Sequence, residues 1–287
     1  MLTTQITKKI NDFVYIKPRT VEEIAQYIGK NWRTANRYIE RIAEEQGTIS
    51  IRTYREGTRG ALKVVFWNNI ERIHSSSFQE RLFKQIEAGR RKNDFTPSDI
   101  YQYVDKNKKS AAIMDHKKYS SKNNFEDFVN YLRQAKSQIL FFSGNLTWSN
   151  VGYHDRKILE VVEELAKQGV SIKILTRVEL PGLESIKNIL AINDRLGRQA
   201  IEIRHCYQPL RATIIDKKYA RFKEIMKSSD YAKEELNEDV YILYEIRDGE
   251  WIEWLHKVFW NLFRTSTPAE KRINEIESIE GYNIRKT

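Results

Sequence analysis

Two short apolar runs constrain this chain more than anything else in it. Gln138-Ile-Leu-Phe-Phe-Ser143 is continuously apolar, and Val170-Ser-Ile-Lys-Ile-Leu175 nearly so. Between them Ile158, Leu159, Val162 and Leu165 recur at helical spacing, and Gly169 ends that helix. A strand without polar alternation is buried on both faces, as in a parallel sheet covered by helices. From Asn124 onward the chain therefore reads as α/β. Phe125, Phe128, Val129 and Leu132 form a helix face that ends near Ala135. After the two runs come a helix from Ile186 to Leu196, a strand from Ala200 to Arg204 and the segment Arg211-Ala-Thr-Ile-Ile215. A turn at Asp216-Lys-Lys218, the segment Tyr219 to Phe222, a strand from Val240 to Tyr244 and a long helix from about Trp251 to Phe263 complete it.

The beginning of the chain follows another plan. Thr20-Val-Glu-Glu23 has the spacing of a capping box, Val21, Ile24, Ala25 and Ile28 share one helix face, and Gly29 ends the helix. Asn31 caps the next helix, about Trp32 to Gln46, which buries Ala35, Ile39 and Ile42. Arg33, Asn36, Arg37 and Arg41 lie opposite that face, and Trp32 is expected to pack near the helix start. An amphipathic segment with Ile6, Ile10, Phe13 and Val14 supplies a third helix. After Gly47 the period drops to two, and Thr48–Tyr54 and Ala61–Trp67 read as strands joined by a basic tip with Arg55 and Arg59. Three helices followed by a hairpin resemble a winged helix-turn-helix over residues 1–68. That resemblance implies a DNA-binding module with Arg33, Thr34, Asn36, Arg37 and Arg41 toward the bases and Arg55 and Arg59 toward phosphates. Winged helices that bind protein instead remain an alternative.

The charge supports a polyanion partner. Of a net +10, residues 1–118 carry 23 Lys/Arg against 14 Asp/Glu, or +9, and the remainder carries +1. Hydrophobic residues at 40% exclude global disorder. The lone Cys206 excludes an internal disulfide or a Cys-cluster zinc site. No run is long enough to span a membrane and the N-terminus has no apolar signal core, so the expectation is a cytoplasmic, nucleoid-associated protein without a membrane partner. No cofactor and no metal site are expected.

Ala135-Lys-Ser-Gln-Ile139, then Ile158 through Leu175, resembles the opening of a phospholipase D-like half-domain. Pro209-Leu-Arg-Ala-Thr-Ile-Ile-Asp216 falls where that family carries His-x-Lys-x4-Asp. In this register Pro209 stands for the histidine, Arg211 for the lysine, and Asp216 is kept; Lys223-Glu224 replaces a small Gly-Ser pair. The family is similar in using histidine as phosphoryl nucleophile, and proline has no nucleophilic atom. His205 lies four residues early and His154 has no recognisable partner. No catalytic residue is expected, and the protein is not expected to be an enzyme. A winged helix joined to such a degenerate half-domain is similar to the TrmB-type archaeal transcriptional regulators, without the sugar-binding domain of the longer members.

The expected organisation is an α+β winged helix-turn-helix at 1–68, a mostly helical basic connector at 69–121, a phospholipase D-like α/β domain at 122–265 and a tail at 266–287. The expected function is a DNA-binding transcriptional regulator on double-stranded DNA. The alternatives are a phospholipase D-like nuclease or phosphodiesterase, and a chromatin- or RNA-binding protein with little sequence choice. Trp251, Trp254, Leu255, Val258, Phe259, Leu262 and Phe263 offer more apolar area than one helix face needs, so a homodimer is expected. Ser143, Asn145, Arg177 and Arg211, near strand ends, form a candidate pocket for a small acidic or phosphorylated effector.

Overall fold

The computed structural model describes residues 2–54, 62–67, 76–153, 156–232 and 235–284. They divide into two compact units, Met1–Arg72 and Ile73–Thr287. The first holds α1 (Thr4–Ile16), β1 (Arg19–Thr20), α2 (Val21–Tyr27), α3 (Trp32–Glu45), β2 (Ile49–Tyr54) and β3 (Leu62–Trp67). Its helix ends are set by local chemistry. The Glu23 amide donates to Thr20 Oγ1 at 3.1 Å and the Thr20 amide to Glu23 Oε2 at 2.7 Å, closing the capping box. Gly29 takes a φ of 64° after α2, and the Thr34 amide donates to Asn31 Oδ1 at 2.9 Å at the start of α3. Ile10, Val14, Ile24, Ile39, Ile42 and Val65 meet in one core.

The sheet of this unit has three antiparallel strands in the order β1-β3-β2, because Arg19 and Thr20 pair with Val65 and Val64. The two-residue β1 carries no periodic signal. Trp32, expected to pack, is 41% exposed, with Lys63 Nζ 5.7 Å from its ring centre. As the first residue of α3 it precedes the turn that faces the core.

The second unit is a three-layer sandwich around an eight-stranded mixed sheet. Its elements begin with α4 (Ser77–Ala88), α5 (Ser98–Tyr101), β4 (Lys109–Met114), α6 (His116–Tyr119) and α7 (Lys122–Leu132). Next come β5 (Gln138–Phe142), the small hairpin β6 (Gly152–Tyr153) and β7 (Arg156–Lys157), α8 (Ile158–Lys167), β8 (Ser171–Thr176), α9 (Leu183–Leu196) and β9 (Ile201–His205). They end with β10 (Ala212–Ile215), β11 (Tyr219–Met226), β12 (Val240–Ile246), α10 (Gly249–Thr265), β13 (Thr267–Pro268) and α11 (Ala269–Ile284). The strand order is β13-β9-β8-β5-β10-β11-β12-β4. Only β5, β8 and β9 run parallel to one another; every other pairing is antiparallel. Along β5 the side chains alternate as the pleat requires. Ile139 and Phe141 face the layer of α7, α8, α9 and α11, and Leu140 and Phe142 face that of α4, α5 and α10.

Three expectations are corrected here. The segment 69–121, expected as a connector, is in its described part built into the second unit: Leu82, Ile86, Phe95, Ile100 and Val104 are buried against the sheet, and β4 pairs with β12. A sheet apolar on both faces needs a second helical layer, and α10 alone does not cover it. Lys108 Nζ also donates to Asp248 Oδ2 at 2.9 Å, at the cap of α10. The tail beyond 265 belongs to the core too, through β13 on β9 and the buried Ala269, Ile273 and Ile276. The apolar surplus of α10 is consumed within the monomer: Trp251, Trp254, Leu255, Val258, Phe259, Leu262 and Phe263 are all buried in the core beneath α4 and α5. The helix α10 therefore keeps no apolar face of its own for a second copy. No helix among the described residues is long and apolar enough to cross a membrane.

Candidate functional site

On α3, the side chains expected to face a partner separate into two groups. Arg33 and Arg37 are exposed, and among the described residues no carboxylate lies within ion-pair distance of either. The Arg37 guanidinium sits only loosely over the Tyr38 ring, 6.0 Å from its centre. Arg41 is engaged, with Nε 2.6 Å from Glu45 Oε1 one turn on. Asn36 is engaged more fully. Its Nδ2 donates to Glu40 Oε1 at 2.8 Å and its Oδ1 accepts from Lys63 Nζ at 2.9 Å. Lys63 also reaches Glu40 at 3.1 Å, and this bond holds the Glu40 carboxyl below its ordinary pKa. The Asn36 amide therefore ties α3 to β3 and is not displayed like the arginines. Thr34 is half-buried in the first turn. Arg55 and Arg59 lie outside the described residues.

The second unit contains a cavity of about 930 Å³. It opens at the carboxyl end of β5, where the sheet changes from parallel pairing with β8 to antiparallel pairing with β10. The topology makes the space. Strand β10 starts only at Ala212, opposite Phe222, while β11 continues to Met226. The notch is closed by the Ser143–Gly152 loop, by Pro209–Arg211, and by residues near Phe95 and Tyr119.

Of the four residues expected there, Ser143, Asn145 and Arg211 line the cavity and Arg177 does not. Ser143 is internal: its Oγ accepts from Trp148 Nε1 at 3.1 Å and from the Leu146 amide at 3.3 Å. Asn145 Oδ1 accepts from Thr147 Oγ1 at 3.1 Å. Arg177 turns back to the Gly144 carbonyl, with Nε at 3.3 Å. Gly144 leaves room for the guanidinium of Arg211, since a Cβ there would stand 2.5 Å from Nη2.

Arg211 has a neighbour that the sequence reading did not place. The Lys223 amide donates to the Arg211 carbonyl at 2.9 Å, one residue beyond the Ala212–Phe222 pair, so the two are cross-strand partners on one face. Lys223 Nζ donates to the Tyr119 hydroxyl at 2.6 Å and lies 4.5 Å from the Tyr119 ring centre. Arg211 Nη1 donates to the Leu210 carbonyl at 2.7 Å, and its Nε and Nη2 meet no acceptor among the described residues. Neither cation has a carboxylate partner among them. Glu224, next in sequence to Lys223, also lines the cavity, but takes its bonds from Thr96 Oγ1 at 2.6 Å and Tyr244 Oη at 2.7 Å on the other face of the strand. By contrast Arg221 is neutralised by Asp127 at 2.7 Å and by Glu245. Burial, reinforced by Arg211, pushes the Lys223 ammonium down to about 8; burial, reinforced by Arg177, pushes Arg211 down to about 10. Both stay protonated at pH 7. Two desolvated like charges, side by side without a counter-ion, cost stability that a bound anion would return.

The residues of the degenerate motif have structural partners. The Pro209 ring is packed where a Cβ on Gly89 would come within 2.8 Å of it. Asp216, at a φ of 47°, accepts from the amides of Lys136, Ser137 and Gln138 at 2.6, 2.9 and 2.7 Å, and from Ser137 Oγ at 2.8 Å. His205 Nδ1 accepts from the Val178 amide at 2.9 Å, and burial lowers its pKa. His154 lies outside the described residues.

No family model matches the chain, and no curated protein matches it. Solved structures do. Nuc, a phospholipase D family member from Salmonella typhimurium, is 12% identical, with 56% of this chain and 97% of that one covered at a TM-score of 0.40. TrmBL2, an archaeal chromatin protein described with a novel mode of DNA binding, is 12% identical over 93% of this chain and 94% of that one, at 0.38. Phosphatidylserine synthase from Haemophilus influenzae Rd KW20 is 11% identical over 62% and 47%, at 0.37. At these scores the likeness assigns no role to any residue here.

Proposed function

We propose that the chain is a DNA-binding transcriptional regulator of the cytoplasm and nucleoid, acting as a homodimer. In this reading the first unit works as a winged helix-turn-helix. The second unit performs no phosphoryl transfer and holds a small acidic or phosphorylated effector. The observation that carries the DNA reading is the pair Arg33 and Arg37, exposed one turn apart on α3 with no carboxylate partner among the described residues. A guanidinium with free donors can take two acceptors of a guanine edge or a phosphate. What supports a non-catalytic second unit is the engagement of its motif: Pro209 against Gly89, Asp216 on three amides, His205 on Val178.

The test is a binding titration after selection of a preferred duplex from a random library. The double variant Arg33→Ala, Arg37→Ala loses specific binding, at about 1–3 kcal/mol for each bidentate base contact removed, and its fold is kept. Unchanged affinity in that variant ends the reading. A second reading, a chromatin binder with little sequence choice, is favoured by one observation. The unit from Ile73 to Thr287 has 36 Lys/Arg against 31 Asp/Glu, an excess equal to the 13 against 8 of Met1–Arg72. Absence of any enriched motif, with a salt slope that falls when Lys106, Lys117 and Lys118 are neutralised together, selects that reading.

A further inference from the structure

The cavity of the second unit is far larger than its two cations require. A site for one inorganic ion needs only the space between Arg211 and Lys223, whereas about 930 Å³ lies near the top of the roughly 300–1,000 Å³ range of organic-ligand pockets. The rest of the wall mixes polar groups, Glu224 and Asp230 among them, with several aromatic rings. Trp148 lines it, half-buried, with one face stacked on Phe141 at 4.5 Å and 20°, and its indole N–H already spent on Ser143. Phe125 and half-buried Phe128 of α7 line it as well. Tyr119 is fixed by stacking on Tyr241 at 4.1 Å and 5°, which holds its hydroxyl against Lys223. Cations with unspent donors at one place and ring faces at another describe a ligand with two parts.

We infer that the cavity takes an organic acid with a planar aromatic body, its anionic head between Arg211 and Lys223 and its ring along Trp148 and Phe128. This rests on the reading of the second unit as an anion-binding effector domain, and adds to it the class of effector. Offset contact with flat ring faces favours a planar ligand over a sugar of equal size. The head is either a phosphate or a carboxylate, since both present oxygens to a guanidinium and an ammonium.

Calorimetric titration of the full chain with four probes tests it: adenosine monophosphate, indole-3-acetate, ribose 5-phosphate and inorganic phosphate. At least one of the two aromatic acids binds tenfold or more tightly than both ribose 5-phosphate and inorganic phosphate, and the tighter of the two identifies the head group. Lys223→Met weakens the aromatic acid at least tenfold while the melting temperature holds or rises, because a desolvated charge has been removed. Phe128→Ala erases the preference for the aromatic acid and leaves inorganic phosphate unchanged. Equal affinity for ribose 5-phosphate and adenosine monophosphate, with indole-3-acetate no tighter, overturns this inference and leaves the anion reading standing. No binding of any probe overturns both. Duplex binding through Arg33 and Arg37 is measured without these ligands and is decided by neither result.

Discussion

Replacing Asp216 by alanine removes four acceptor contacts at once, those from the amides of Lys136, Ser137 and Gln138 and from Ser137 Oγ. Buried hydrogen bonds to a charge contribute about 1.5–3 kcal/mol each, but this carboxylate is only partly buried. Solvent screening reduces the figure to about 0.5–1 kcal/mol per bond, or about 2–4 kcal/mol for the set. The backbone adds to it. A φ of 47° is tolerated by aspartate and asparagine, whereas alanine there costs about 1 kcal/mol more. The expected order of loss is Asp216→Asn, then Asp216→Gly, then Asp216→Ala, the last at about 3–5 kcal/mol in urea or thermal melting of the full chain. For a unit of this size each kcal/mol lowers the melting temperature by about 2–4 °C. These bonds hold the carboxyl below its ordinary pKa against the opposing effect of burial. The stabilisation is therefore complete above the unfolded value of about 3.9 and is lost as pH falls through the lower folded value. An Asp216→Ala protein that melts within about 1 kcal/mol of the wild type at pH 7 refutes the reasoning.

Two further outcomes are expected. His256, whose Nε2 accepts from Trp260 Nε1 at 3.0 Å, is buried and pushed down to about 3. It stays neutral in the fold while the unfolded residue protonates near 6.5, so stability is full above about pH 6.5 and falls by about 1.4 kcal/mol per pH unit below it. His256→Gln flattens that slope between pH 6.5 and 5, and melting curves with the same slope in the variant contradict the assignment. Asn36→Ala leaves duplex affinity within about twofold and costs about 0.5–1 kcal/mol of stability, because its amide serves Lys63 and Glu40; a tenfold loss of affinity returns Asn36 to the reading face.

What the sequence made legible is what neighbouring residues decide. Thr20 with Glu23, Gly29 and Asn31 punctuate helices through contacts three or four residues long, and the structure has each of them in place. The continuous apolar run of β5 likewise announces a strand buried on both faces. The cavity is of another kind. Position along the sequence singles out Arg211, but its partner Lys223 reads locally only as a bulky replacement in a small-residue slot. Nothing local says that the two are cross-strand neighbours, because that depends on where β10 and β11 pair. Tyr119, whose hydroxyl accepts from the ammonium, comes from the basic connector, where nothing local points to a site. Asn36 illustrates the opposite case: its residue type fits a base edge, and only the position of Lys63 on β3 shows that its amide is engaged.

The two rims of the eight-stranded sheet are supplied by opposite ends of the second unit. Strand β4, near its start, lies on β12 with Met114 opposite Tyr241, and β13, near its end, lies on β9 with Thr267 opposite His205. During synthesis β4 must wait unpaired until β12 has left the ribosome, and β9 stays open on one side until β13, beyond α10, is made. Both open strands are templates for foreign pairing in that interval. Shortening the chain at either end of this unit recreates the interval permanently, so trimming to the central parallel strands yields an aggregating protein in place of a smaller one.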